Sequence, residues 1–248
     1  MFTYLLHSLS SANKKMKHPN LREEKKLWKK GIKIVVGLDE AGRGPLAGPV
    51  VAAAVAIDSR IFTNMTTNFT NKHSRRLVVK FVDIRDVRDS KQLTAKKREE
   101  LYKILIKNPA IEWGIGRVSE RMIDKINIKN AAELAMEKAL RQLKVKSSKL
   151  KVDFLIIDGN HVANLNLKSY NFKLIPKGDE KVFSCSAASI IAKVTRDRIM
   201  ERYHKKYPKY GFKKHKGYPT KFHFRMLKKY GPCKIHRKTF WPVKCFFA

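Results

Sequence analysis

Asp39 and Glu40 stand side by side, and a third carboxylate, Asp158, closes a separate apolar run. Aliphatic residues precede each of them (34–38 and 154–157) and glycines follow, so both segments are predicted as strands that end on acids. Carboxylate oxygens are the ligands that Mg²⁺ or Mn²⁺ prefers. Gly42, Gly44 and Gly48 come directly after the first pair and let the main chain approach a ligand with no Cβ in the way. A divalent cation beside close-approach backbone suits hydrolysis of a phosphodiester. A solvated hairpin with two surface acids is the plain alternative for an isolated Asp-Glu pair, and the flanking apolar runs and glycines argue for a site. Successive strand residues point to opposite faces, so Asp39 and Glu40 serve one site only if the pleat ends at them. That ending is the expectation.

The elements that must position these acids are legible as alternating strands and helices. Residues 34–40 and 50–57 read as two strands around the glycine-rich turn, 111–118 as another, and 154–157 as a strand buried on both faces, with one more at 172–175. Thr94 is placed to cap a basic amphipathic helix over 95–106. Ala131, Leu134, Ala135, Leu140 and Leu143 form the core stripe of a helix over 130–143. Ala187, Ile190, Ile191 and Val194 do the same in a later helix, with Lys193 and Arg196 expected largely off that apolar face. This is an α/β chain with a central sheet flanked by helices, and the sheet can bring acids from distant strand ends together.

Lys and Arg number 55 against 21 acids, a formal charge of +34, which makes a polyanion the first partner to consider. No apolar run approaches the roughly 20 residues of a membrane span, so a membrane role is set aside. Three cysteines, Cys185, Cys233 and Cys245, form no paired framework and fit a reducing, cytoplasmic setting. Cys233 and His236 have half-site spacing for zinc, with His215, His223 or Cys245 as irregular partners, too weak a pattern to assign the metal. Residues 1–33 read as a basic appendage with a short helix over 21–30, in loose contact with nucleic acid if with anything. The first 22 residues lack acids, as transit peptides do. Residues 58–85 read as an inserted region, polar and rich in Thr and Asn over 58–74. The last sixty or so residues mix Lys, His, Tyr and Phe, a composition suited to a nucleic-acid groove.

Four segments resemble one family. Asp-Glu-Ala-Gly-Arg-Gly-Pro-Leu-Ala-Gly-Pro (39–49), Ile-Asp-Gly-Asn (157–160), Lys-Gly-Asp through Ser-Ala-Ala-Ser-Ile-Ile-Ala-Lys-Val-Thr-Arg-Asp (177–197) and His-Lys-Gly-Tyr-Pro-Thr (215–220) are similar to the signatures of ribonuclease HII. Asp-Ser-Lys-Gln-Leu (89–93) resembles a recurring segment of the same family. Ribonuclease HIII carries a different turn after its first acids, and this chain has Gly-Arg-Gly-Pro there.

The resemblance implies a ribonuclease H-like fold over 34–200, with a C-terminal helical substrate-binding region over 201–248. It implies a site of Asp39, Glu40, Asp158 and Asp179 holding Mg²⁺ or Mn²⁺. It further implies substrate contacts at Gly42, Arg43, Gly44, Ser90, Lys91, Lys193 and Tyr218, the tyrosine packing on the sugar next to the ribonucleotide. The expected substrates are RNA–DNA hybrids and duplex DNA with embedded ribonucleotides, cut on the 5′ side to leave 3′-hydroxyl and 5′-phosphate ends. Removal of ribonucleotides and RNA primers is the implied role, carried out by a monomer. The terminal Phe246 and Phe247 loosely resemble a sliding-clamp tail, although folding back on the domain is the favoured expectation for them. Two rivals are a different nuclease on the same acidic-sheet plan and a basic nucleic-acid-binding protein without catalysis.

Overall fold

The computed structural model describes residues 19–59, 93–147, 150–162 and 170–247. Its centre is a five-stranded mixed sheet in the order β3-β2-β1-β4-β5, made of β1 (Ile34–Ala41), β2 (Val50–Asp58), β3 (Ile111–Val118), β4 (Phe154–Asp158) and β5 (Asn171–Ile175). β1 runs antiparallel to β2 and parallel to β4, so it is the strand on which the two halves of the sheet meet. β2 and β3 are antiparallel, and β4 and β5 parallel.

Each face of the sheet is covered by one long helix. Val36 and Leu38 of β1, the even residues of β2 from Val50 to Ala56, and Leu155 and Ile157 of β4 pack with Ala131, Ala135, Ala139 and Leu143. Those four belong to α3 (Glu120–Lys146), which follows α1 (Arg22–Trp28) and α2 (Ala95–Lys107). The opposite face, with Val35 and Ile156 and with Ala53, Val55 and Ile57, meets α5 (Phe183–Lys206), which follows a single turn, α4 (Gly178–Lys181). A Cβ on Gly37 would lie 2.3 Å from the backbone of Ser184, so the glycine is what lets α5 lie against β1. The alternation along β1 therefore assigns odd residues to the α5 face and even residues to the α3 face.

Three expectations change here. The helix expected at 130–143 is longer, because Ser119 caps an earlier start and Asn127, at φ 63°, joins two helical segments, its side chain accepting from the Asn130 N–H at 3.1 Å. The expected appendage is not loose over 20–33: Leu27, Trp28 and Ile32 pack on the core, and the fully buried Glu24 accepts the Ser184 N–H at 2.9 Å, capping α5. Burial pushes the Glu24 carboxyl up to about 6. The expected boundary at 200 falls inside α5, whose helix runs on to Lys206. The C-terminal part, with α6 (Phe212–His215), α7 (Lys221–Tyr230) and a final 3₁₀ turn (Val243–Phe246), is tied to the core through backbone bonds from Leu46 to Gly217 and from Gly48 to Ile235. Most of the expected insertion lies outside the described residues. No helix among the described residues is long and apolar enough to cross a membrane.

Candidate active site

Asp39, Asp158 and Asp179 offer carboxylate oxygens that all lie within 4.8 Å of one another. The fold explains the meeting. Asp39 is odd-numbered on β1 and faces α5, Asp158 ends the parallel neighbour β4 on the same face, and Asp179 sits in the turn α4 that leads into α5. The Gly178 N–H donates to Asp158 Oδ1 at 2.8 Å, which fastens α4 to the end of β4. Asp39 is 5% exposed and Asp179 2%. Burial, then the neighbouring charges of Glu40 and Asp158, hold the Asp39 carboxyl well above the usual carboxylate range, while a hydrogen bond from Ser189 of α5 pulls the other way. Three acids at this range, two of them buried, repel unless a cation joins them, and their donor set is all oxygen. The arrangement fits a hard divalent ion.

Glu40 does not join this group. β1 stays paired to β2 through Glu40 and Ala41, so the pleat does not end at the acids and Glu40 projects to the α3 face. There it pairs with the Arg43 guanidinium at 3.2 Å and lines a cleft of about 530 Å³ together with Asp158, Lys129, Lys177 and Lys181. Burial raises the Glu40 carboxyl against the pull of Arg43.

The glycine-rich segment after β1 is held by two guanidiniums with no exposed surface. Arg196 donates to the carbonyls of Pro49 at 2.9 Å, Lys216 at 3.0 Å and Ala47 at 3.1 Å. Arg237 donates to Gly48 at 3.0 Å, Arg43 at 2.9 Å and Gly42 at 2.6 Å. Gly42, at φ 103°, leaves no room for a Cβ, which would fall 2.1 Å from Arg196 Nε. Gly44 is different: a Cβ there would meet only the Tyr218 ring, at 3.8 Å. Tyr218 is 40% exposed, with Lys193 Nζ 5.9 Å and Arg196 Cζ 5.8 Å from its ring centre. The backbone at Gly44 and the tyrosine ring thus border one slot.

Residues 36–243 match the family model described as Ribonuclease HII. The ribonuclease HII of Caldanaerobacter subterraneus subsp. tengcongensis is 46% identical over 217 residues, covering 88% of this chain and 78% of that one. The chain belongs to the ribonuclease HII family. It is accordingly an endonuclease that hydrolyses the RNA strand of RNA–DNA hybrids. Among solved structures, ribonuclease H2 from Pyrococcus horikoshii aligns with a TM-score of 0.63 and 30% identity, covering 86% of this chain and 96% of that one. The ribonuclease HII of Archaeoglobus fulgidus, solved in complex with PCNA, aligns with a TM-score of 0.58 and 25% identity over 84% of this chain and 95% of that one. The fold is the ribonuclease H-like one.

Against the residues anticipated for a ribonuclease HII site, the structure gathers three of the four acids and sets Glu40 beside them across the strand. Gly42 is packed against Arg196 and Arg43 pairs with Glu40, while Gly44 and Tyr218 border the slot. Lys193 lies at its edge but pairs with Asp197 at 2.6 Å, and burial lowers its pKa. Ser90 and Lys91 lie outside the described residues. Arg196 corrects the sequence reading, for it is buried and not turned away from the core. Its spacing from Ala192 and Met200, four residues on either side and both fully buried, was the available signal. Arg237 and Ser189 carried none, because only the folded chain brings them to the loop and to Asp39. The histidines weighed for zinc spend ring nitrogens on hydrogen bonds: His223 Nε2 lies 3.0 Å from His236 Nε2.

Proposed function

We propose that this chain cuts the phosphodiester on the 5′ side of a ribonucleotide, in RNA–DNA hybrids and at single ribonucleotides in duplex DNA. Asp39, Asp158 and Asp179 hold the divalent cation, Mg²⁺ or Mn²⁺, with Glu40 contributing from the cleft side. When bound, the metal lowers the pKa of an attacking water and stabilises the leaving oxygen. The remaining roles belong to the chain. Ser189 keeps Asp39 oriented through its hydrogen bond. Arg43 steadies Glu40, and the rigidly held Gly42-Arg43-Gly44 backbone reads the 2′-hydroxyl, the one group that separates RNA from DNA at a given site. Tyr218 packs its exposed ring on the neighbouring sugar. The single observation that carries the reading is the three-aspartate group, with Asp39 on the strand that leads into the Gly44–Tyr218 slot.

The test is cleavage of an end-labelled DNA duplex with one ribonucleotide, with Mg²⁺ or Mn²⁺, beside an all-DNA duplex and an Asp39→Asn enzyme. A single metal-dependent cut immediately 5′ of the ribonucleotide, absent from both controls, is expected. Binding without any cut would overturn the proposal. Three free cysteines accord with a cytoplasmic site of action. A clamp partner is the finer proposal for the tail, where Val243 is buried, Lys238 Nζ lies 4.7 Å over the Phe247 ring, and Phe246 and Phe247 stay 44% and 51% exposed. Clamp pull-down that persists after deletion of the last six residues would remove it.

A further inference from the structure

Tyr218 stands on a turn that the backbone does not favour: Lys216 has φ 52° and Gly217 φ 87°, two left-handed residues in succession. For lysine that conformation is costly and persists only where the surroundings dictate it. Arg196 and Leu46 hold the carbonyls of Lys216 and Gly217, at 3.0 and 2.8 Å. The carbonyl of Tyr218 itself is held from the other side, by His223 Nδ1 at 2.9 Å.

We infer that His223 and His236 are positioning residues for Tyr218, joined as a one-way chain of neutral imidazoles that fixes the turn presenting its ring. The direction follows from donor and acceptor types and from the contact distances. A carbonyl only accepts, so the proton of His223 is on Nδ1 and its Nε2 carries a lone pair. His236 Nδ1 lies 2.9 Å from the Cys233 nitrogen and 3.3 Å from the Cys233 carbonyl; the shorter contact makes it the acceptor of the Cys233 N–H, so its proton is on Nε2, which donates to His223 Nε2 at 3.0 Å. The opposite tautomer of His236 would turn a lone pair on the lone pair of His223. His215, stacked on His223 at 4.4 Å, completes the set: its Nδ1 accepts the Gly217 N–H at 3.1 Å and its Nε2 donates to the Tyr210 carbonyl at 2.7 Å.

A proton added to His223 would set two N–H groups head to head, and one added to His236 would oppose the Cys233 N–H. The groups facing the chain leave it neutral. Phe212 stands edge-on to His223, Tyr210 packs on His236 with its hydroxyl donating to the Gly231 carbonyl, and burial pushes the Cys233 thiol up to about 11. Lys216 adds positive charge near His215, and the Arg237 guanidinium is turned to the glycine loop. No carboxylate is a hydrogen-bond partner of the three rings among the described residues. Burial and the neighbouring histidines lower His223 to about 4 and His236 to about 3, in keeping with this geometry.

The inference rests on the reading that Tyr218 packs against the ribonucleotide's neighbour, and its test separates the two. Cleavage of a single-ribonucleotide duplex and of an all-RNA–DNA hybrid is compared in His223→Leu, His223→Asn, Tyr218→Ala and the His223→Leu/Tyr218→Ala double variant. Asn keeps a donor where Nδ1–H stands. His223→Leu is expected to lower the single-ribonucleotide rate roughly tenfold or more relative to the hybrid. His223→Asn restores most of that ratio, and the double variant matches Tyr218→Ala. Equal loss on both substrates, or additive losses in the double variant, would overturn the inference. If Tyr218→Ala leaves the ratio unchanged, the sugar-packing reading falls. The positioning inference is then decided by long-range ¹H–¹⁵N correlation spectra of the intact protein. Nδ1–H on His223 and Nε2–H on His236 from roughly pH 8 to roughly pH 5, with Tyr218 ring signals displaced in His223→Leu, support it. Reversed tautomers, or undisturbed Tyr218 signals, overturn it.

Discussion

At one end of β1 three aspartates, two of them buried, crowd within 4.8 Å, and the loop that follows β1 is held by the guanidiniums of Arg196 and Arg237, which have no exposed surface. Both regions remove charge from water, which costs several kcal/mol per ion unless the surroundings answer it. The surroundings answer differently. Arg196 and Arg237 spread their donors over six backbone carbonyls, so the loop that borders the slot is complete as folded. The aspartates face one another, with the Ser189 hydroxyl on Asp39 and the Gly178 N–H on Asp158, and their mutual repulsion calls for a cation. The reading side is preorganised by its own chain, and the cutting side is left for a ligand to finish.

The sharpest way to break this contrast is Asp158→Asn. Near-total loss of cleavage is expected with duplex binding retained, and melting in the presence of a chelator should show a Tm equal to or above that of the parent, because one buried like charge is gone. Added Mg²⁺ or Mn²⁺ should raise the Tm of the parent more than that of the variant. Wild-type turnover in the variant would remove Asp158 from the site.

A second pair of changes separates folding from reading within one loop. Gly42→Ala forces a Cβ to 2.1 Å from Arg196 Nε at φ 103°, and denaturant unfolding should show a loss of about 3 kcal/mol or more. Gly44→Ala meets only the Tyr218 ring at 3.8 Å, so stability should stay within about 0.5 kcal/mol while cleavage at a single ribonucleotide falls. A folding defect in Gly44→Ala would show that the slot is part of the packing.

pH should move the two regions in opposite directions. His223 is lowered to about 4 when folded, against an ordinary value of 6.5, so its contribution is whole above 6.5 and is lost as pH falls towards 4, on the order of 3 kcal/mol. Asp39 is raised when folded, so in metal-free protein its burial is most costly at neutral pH and the cost is relieved on acidification. Denaturant titrations of the chelated parent, His223→Asn and Asp158→Asn across that range resolve the two slopes. A histidine variant that keeps the parent's acid sensitivity would contradict the assignment. The smallest effect is expected at the cleft rim, where Lys177→Gln and Lys181→Gln should each weaken duplex binding modestly. Each should reduce the salt dependence by about one counterion if it meets a phosphate.

Much of the cutting side was legible before folding, because acids that end apolar runs advertise strand ends and a glycine-rich turn advertises close approach. What misled there was the assumption that β1 stops at Asp39. Its ladder with β2 continues, and one more residue of pleat sends Glu40 to the other face. The reading side was legible only as motif. Arg237 looks like an ordinary member of a basic chain, and nothing local marks its guanidinium as buried when its partners are backbone carbonyls about 190 to 195 residues away; Arg196 gave only the weak signal of its spacing from Ala192 and Met200.

The amino-acid sequence by itself determined the alternating strands and helices, the polyanion partner implied by +34, and Asp39, Glu40 and Asp158 as acids at strand ends, because these depend on periodicity, composition and residue type. Asp179 and Tyr218 are marked only by resemblance to the family's segments. Tertiary structure decided which face each acid serves, that Glu24 caps α5 and docks α1, and that His223 and His236 come together behind the Tyr218 carbonyl. Those outcomes depend on pleat register and on partners remote in the chain, and neither is encoded in any single stretch of residues.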